Sequence, residues 1–264
     1  MECLFCNNGK QFNTKEHIIP ESLGNDDLIL EREVCDKCQN YLSQIENYVL
    51  SKTPLGFWRT LLTIRTKKGT LPKVDFTKSK NTKGALPDYH KEHDDVKFES
   101  QSDFTTELNF QKPIEDFVNK KSSGKIKYVI TPKAIHEIGR FLGKIGIELL
   151  CYSDRLKARD EEFDSLRRYV REGSLKDLWP LFYKTEGEIN SLFTYLKRGS
   201  EIEEQVTCYS YSIKQIGPYN ILNLKVGTDS WFICLNQQFP HPDIYRYMGE
   251  NVKCIWYSKA QWKK

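Results

Sequence analysis

A chain of 264 residues with 39% hydrophobic and 12% aromatic side chains carries enough apolar material for a sizeable core, which excludes a disordered or collagen-like polymer. Its 40 Lys and Arg against 36 Asp and Glu leave a net charge of only +4, and no apolar run approaches the roughly 20 residues of a membrane-spanning helix. The expectation is a soluble protein with no membrane partner, folded as one large domain or two ordinary ones.

The chain opens Met1-Glu2-Cys3, without the basic start and apolar stretch of a secretory leader. That predicts an intracellular, cytoplasmic setting, where cysteines serve as metal ligands or free thiols rather than disulfides. Four of the eight cysteines are paired: Cys3-Leu4-Phe5-Cys6 and Cys35-Asp36-Lys37-Cys38 are two C-x2-C turns separated by 28 residues. Together they offer the four thiolates of a closed tetrahedral zinc site, with a redox dithiol as the alternative. Cys151, Cys208, Cys234 and Cys254 stand alone in apolar or strand-like surroundings and are expected in the core.

Between the pairs runs Thr14-Lys15-Glu16-His17-Ile18-Ile19-Pro20-Glu21-Ser22-Leu23-Gly24, and the second pair continues into Gln39-Asn40. In this order, over about residues 1–50, the paired cysteines, the Glu-His-Ile-Ile-Pro stretch and the closing amides resemble the HNH endonucleases, a family of ββα-metal nucleases. The resemblance implies two short strands and a helix stapled by structural zinc, acting on DNA, most readily the duplex. It also implies roles for individual residues: His17 as general base, and Glu16 as ligand to a catalytic Mg²⁺ or Mn²⁺. The second ligand falls at Gln39 or one residue later at Asn40, the residue type the family uses. Asn25 is the candidate for the family's middle asparagine, which orients the base.

The residue types suit that chemistry. Phosphodiester hydrolysis needs a deprotonated water and a cation to neutralise charge growing on the phosphate. Histidine is a suitable base near neutral pH, and a carboxylate holds a hard cation through oxygen. Because alternate strand residues face opposite ways, Glu16 and His17 should point in different directions. Beyond Asn40, the spacing of Tyr41, Leu42, Ile45, Tyr48 and Val49 predicts one apolar helical face; Glu46 on the next turns either supports the metal or, as the default, is an ordinary solvated carboxylate.

The small net charge conceals a strong gradient. Residues 1–50 hold 4 basic and 9 acidic side chains, whereas residues 51–83 hold 9 basic and 1 acidic. Lys52, Arg59, Arg65, Lys67 and Lys68 lead this block, interleaved with Phe57, Trp58, Leu61 and Leu62. Beside an acidic metal-binding unit such a block is expected to hold phosphates, giving salt-sensitive affinity with little sequence preference.

Farther on, short strands are expected over Asp95–Phe110 and Lys125–Ile130. A helix opens at Thr131-Pro132 and runs to about Cys151, with Ile135, Ile138, Phe141, Leu142, Ile145 and Leu149 on one stripe. A second helix spans about Asp160–Glu172 and ends at Gly173, followed by helical stretches over Leu175–Phe182 and Glu188–Lys197. Val206–Ile213, Tyr219–Val226, Trp231–Leu235 and Val252–Tyr257 read as strands of an antiparallel sheet. His90, His93, His136 and His241 form no ligand pattern, and Trp231, Trp256, Tyr257 and Trp262 are read as core aromatics, with the lining of a nucleobase pocket as the alternative.

The expected architecture is α+β: a small zinc-stapled ββα-metal module (1–55), a basic nucleic-acid-binding segment (56–83) and a larger α+β recognition, sensor or partner domain with an antiparallel sheet (84–264). The expected activity is metal-dependent DNA cleavage, in restriction or anti-phage defence. A non-catalytic zinc-dependent nucleic-acid-binding regulator is the alternative, and a homing endonuclease a weaker one. A homodimer, and an activating ligand or partner acting through residues 84–264, are left open.

Overall fold

The computed structural model describes residues 2–6, 10–53, 55–56, 132–173, 179–185, 209–227, 229–241, 244–249 and 252–255. The amino-terminal unit is two short strands and a helix. Strand β1 (Lys15–His17) pairs antiparallel with β2 (Ile29–Glu31), with Glu16 opposite Leu30. A 3-10 turn, Glu21–Leu23, lies between them and ends at Gly24, whose φ of 86° is a left-handed value that glycine adopts without strain. Helix α1 (Asp36–Lys52) follows the second cysteine pair, burying Cys38, Leu42, Ile45, Val49 and Leu50 along one face as the spacing predicts. Asp36 in its first turn accepts hydrogen bonds from the backbone and side chains of Asn13 and Thr14, fastening the lead-in of β1 to the helix start.

Helix α2 (Pro132–Ser153) begins with its proline at the first helical position, where the missing N–H costs nothing. Every residue from Ile138 to Cys151 is buried, so this helix is central and not peripheral. The apolar stripe packs on α1 and on α3 (Asp164–Glu172), and one continuous core runs from Leu4, Ile18 and Leu42 through Phe141 and Ile145 to Leu166 and Trp231. A second tether comes from the turn after α2: buried Glu33 is held by Arg155 Nε at 3.0 Å and Arg159 Nη2 at 2.9 Å. Helix α3 is preceded by a separate 3-10 turn, Glu161–Phe163, and stops at Gly173 with φ of 60°.

Strands β3 (Leu181–Thr185), β4 (Tyr209–Ile216), β5 (Tyr219–Val226), β6 (Asp229–Cys234) and β7 (Lys253–Ile255) form an antiparallel sheet in the order β4-β5-β6-β3-β7; a short helix α4 (Tyr245–Met248) precedes β7. The mixed architecture with an antiparallel sheet is as expected. Two readings are corrected. The end of the helical stretch expected over Leu175–Phe182 is strand instead: Leu181 and Phe182 open β3, and Pro180 before them cannot continue a helix. Cys254 is exposed and not in the core, because β7 is an edge strand. The strands at 95–110 and 125–130, the helical stretch at 188–197, His90, His93, Cys208, Trp256, Tyr257 and Trp262 lie outside the described residues.

One buried histidine gives the fold a pH signature. His136 on α2 lies against Gly173 O at 3.1 Å and meets the Tyr169 ring edge-on at 5.3 Å. Burial, reinforced by the nearby Arg140 charge, pushes its pKa down to about 4. The unfolded chain therefore binds this proton first as pH falls, so the stability is complete above about 6.5 and is lost between 6.5 and 4. The loss amounts to roughly 3 kcal/mol. Thermal melts should show the wild type converging on His136→Gln as pH falls from 7 to 4.5; a constant gap between them would contradict this assignment.

Candidate functional site

The site is assembled by three elements, starting from the cysteines. Cys3 and Cys6 come from the first turn, Cys35 immediately precedes α1, and Cys38 lies within its first turn; all four ligand atoms lie within 4.8 Å of one another. Cys6 Sγ and Cys35 Sγ are 3.7 Å apart. A tetrahedron with zinc–sulfur bonds of about 2.3 Å demands edges of about 3.8 Å, so the spacing fits a zinc ion. The Cys35 N–H donates to Cys3 Sγ at 3.4 Å, a contact that favours a thiolate. The hydrogen bond from Cys38 pulls the Cys3 thiol down to about 4, while Cys38 itself and Cys35 are pushed up. The four sulfurs could hold structural zinc, as the sequence predicted.

Packed on that staple, β1 separates its two chemical residues as strand alternation requires: Glu16 is buried and His17 is half-buried on the other side. His17 Nε2 meets Glu21 Oε1 at 2.9 Å. An ionised Glu21 accepts a proton only from Nε2–H, so this contact selects the tautomer whose lone pair is on Nδ1. Nδ1 is buried and has no hydrogen-bond partner among the described residues. A base with its far nitrogen oriented by a carboxylate is the arrangement general-base chemistry uses.

The Asn25 side chain does not meet His17 but bonds the loop beyond it. It is buried, and its side-chain amide donates to Ile19 O at 2.6 Å and Leu28 O at 3.2 Å while its oxygen accepts from the Leu28 N–H at 2.9 Å. It therefore holds the loop after His17 in shape, and Glu21 makes the contact to the imidazole. Gln39 is likewise engaged locally: its amide donates to Thr14 O at 3.2 Å and Val34 O at 3.3 Å, and its oxygen accepts from the Thr14 hydroxyl. Asn40 is exposed on α1, its carbonyl accepting from Ser43 Oγ. Neither amide meets Glu16.

What meets Glu16 is Lys144 from α2. Its ammonium is 1% exposed and lies 2.7 Å from Glu16 Oε1, 2.7 Å from Glu46 Oε1 and 3.0 Å from Glu148 Oε2. It also donates to His17 O at 2.9 Å and Ile18 O at 3.4 Å. Glu46 is therefore not the solvated carboxylate its helix position suggested. Burial alone would lower the Lys144 pKa, but Glu148, Glu16 and Glu46 together drive it well above its ordinary value. Burial raises Glu148 well above the usual carboxylate range and raises Glu46, with Lys144 opposing in both cases.

Of the basic block, Lys52 closes α1 near the negative end of the helix dipole, whereas Arg59, Arg65, Lys67 and Lys68 lie outside the described residues. The residues missed in the sequence are Glu21, Lys144 and Glu148. Glu21 had a signal, a carboxylate four residues after His17 where Pro20 turns the chain back. The other two had a weaker one: His136, Arg140, Lys144 and Glu148 recur every fourth position as a polar line down an otherwise apolar helix, and all four are buried.

Residues 3–52 match the family model described as HNH endonuclease. No curated protein and no solved structure matches the chain.

Proposed function

We propose that this protein is a metal-dependent endonuclease that hydrolyses phosphodiester bonds of DNA, with His17 as general base and Glu16 as the carboxylate that holds a catalytic Mg²⁺ or Mn²⁺. The carrying observation is the His17 imidazole, fixed through Nε2 by Glu21 with Nδ1 unpartnered, in a module whose four cysteine sulfurs fit zinc and whose sequence matches the HNH endonucleases.

In this reading Nδ1 removes a proton from water as its oxygen bonds to phosphorus and the P–O bond to the leaving sugar oxygen breaks; that oxygen takes a proton from solvent, and Glu21 stabilises the imidazolium that results. Held at Glu16, a divalent cation supplies charge neutralisation at the phosphate. Around the Lys144 ammonium that meets Glu16, the acceptors are all oxygen, a set that suits a hard cation. Asn40 and Gln39, the ligands implied by the resemblance, do not stand with Glu16, so no step is assigned to them. The basic block at 51–83 is proposed to bind duplex phosphates, and residues 84–264 to select the target or an activating partner, in restriction or anti-phage defence.

The capture of Glu16 by Lys144 favours a second reading, a zinc-dependent nucleic-acid-binding protein without cleavage. Labelled duplex DNA, single-stranded DNA and RNA of matched sequence, with and without base modification, separate the two when incubated with Mg²⁺ or Mn²⁺ and with EDTA. Divalent-dependent shortening of a DNA strand is the expected result. Salt-sensitive retention of uncut DNA in every arm would favour the regulator.

A further inference from the structure

Lys144 lies far outside residues 3–52 in sequence, yet it fills the centre of an oxygen cage built on Glu16. An ammonium has three N–H donors. Here it faces five oxygens: one each from Glu16, Glu46 and Glu148, and the backbone carbonyls of His17 and Ile18. Three donors cannot serve five oxygens fully, and Glu148, which is fully buried, keeps its second oxygen, Oε1, without a hydrogen-bond partner among the described residues. Three carboxyl groups and two backbone carbonyls face one ammonium, with acceptors to spare.

That is the donor set of a hard cation. Mg²⁺ and Ca²⁺ take oxygen ligands at about 2.0–2.6 Å. An ion bridging Glu16 Oε1 and Glu46 Oε1 from the side of Lys144 would meet Nζ, which already sits 2.7 Å from each. Two cations held among the same carboxyl groups repel, so the cage favours one at a time.

We propose that the ammonium of Lys144 and a divalent metal ion are alternative occupants of one site, whose ligands are Glu16, Glu46 and Glu148 in place of Asn40 or Gln39. This rests on the reading of Glu16 as the metal carboxylate and supplies its companions. It also makes α2 the element that controls the site. Because the helix packs on α3 and β6 as well as on α1, a ligand or partner that shifts α2 would withdraw the lysine and admit the metal. The arrangement with the lysine in place is then the resting state.

The test is metal binding by the zinc-loaded full chain, followed by electron paramagnetic resonance of free Mn²⁺. Lys144→Met should bind one Mn²⁺ per chain at least about tenfold more tightly than wild type. Adding Glu148→Gln should reverse most of that gain, and zinc content should not change in either variant. A folded, zinc-loaded Lys144→Met that binds Mn²⁺ no better than wild type overturns the proposal. Should Lys144→Met fail to fold, wild type answers alone: reductive methylation read by mass spectrometry should spare Lys144 in EDTA and reach it as Mn²⁺ rises through roughly the millimolar range. Protection of Lys144 while Mn²⁺ binds in a Glu16-dependent manner would equally overturn it. Neither readout involves DNA, so a protein that binds Mn²⁺ as expected but cuts nothing would count against the nuclease reading alone.

Discussion

Cys38→Ser should abolish zinc binding and strongly destabilise the amino-terminal module. Cys38 is fully buried at the start of α1, and its sulfur stands among three others within 4.8 Å. The two strands it helps to staple are three residues each, too short to stand on pairing alone. Structural zinc contributes folding free energy directly, on the order of 10 kcal/mol in small zinc domains. The module also leans on α2 through Leu42, Ile45 and Phe141, so part of its order survives, and we expect a loss of about 3–5 kcal/mol. Elemental analysis should find about one zinc per wild-type chain and none in the variant, whose melting temperature falls sharply. Cys254→Ser, on the exposed edge strand, should leave both values unchanged. A zinc-free wild type with an undiminished melting temperature would refute the staple.

His17→Ala is the complementary case, expected to leave the fold intact and remove the chemistry. The side chain is about one quarter exposed and anchors no buried network beyond its contact with Glu21. Its backbone carbonyl keeps its bond to Lys144 whatever side chain stands there. Zinc content and thermal stability should therefore match wild type, while the rate of strand scission falls by about 10²–10⁴, the usual worth of a positioned general base. A loss of rate accompanied by a loss of zinc would mean that the substitution acts through the fold.

The parts of the fold legible in the sequence are those fixed by local chemistry. Paired cysteines cannot serve a closed metal site without folding the chain between them, and Glu16 and His17 had to face opposite ways on a strand. The β4–β5 hairpin was readable because Gly217-Pro218 breaks the pattern between Ile216 and Tyr219, which pair across the turn. Strand β3 was hidden because the apolar spacing of Leu175–Phe182 imitates a helix, although Pro180 contains the correction. The site's electrostatics were less legible, for a physical reason. A lysine at position 144 in an apolar helix announces that it must meet an anion, but its partners Glu16 and Glu46 are fixed only by how α2 packs on β1 and α1, roughly a hundred residues away in sequence. Asn25 and Gln39 were read by residue type, and in the fold their amides are consumed by loop carbonyls.

The most direct measurement of the central claim is the conversion of supercoiled plasmid by wild-type protein carrying one zinc per chain, followed over time with Mn²⁺ and with EDTA. The account predicts nicked or linear product with Mn²⁺, with EDTA halting its formation. Plasmid that stays supercoiled with Mn²⁺ present, across modified and unmodified DNA and while the protein remains bound to it, would contradict the claim.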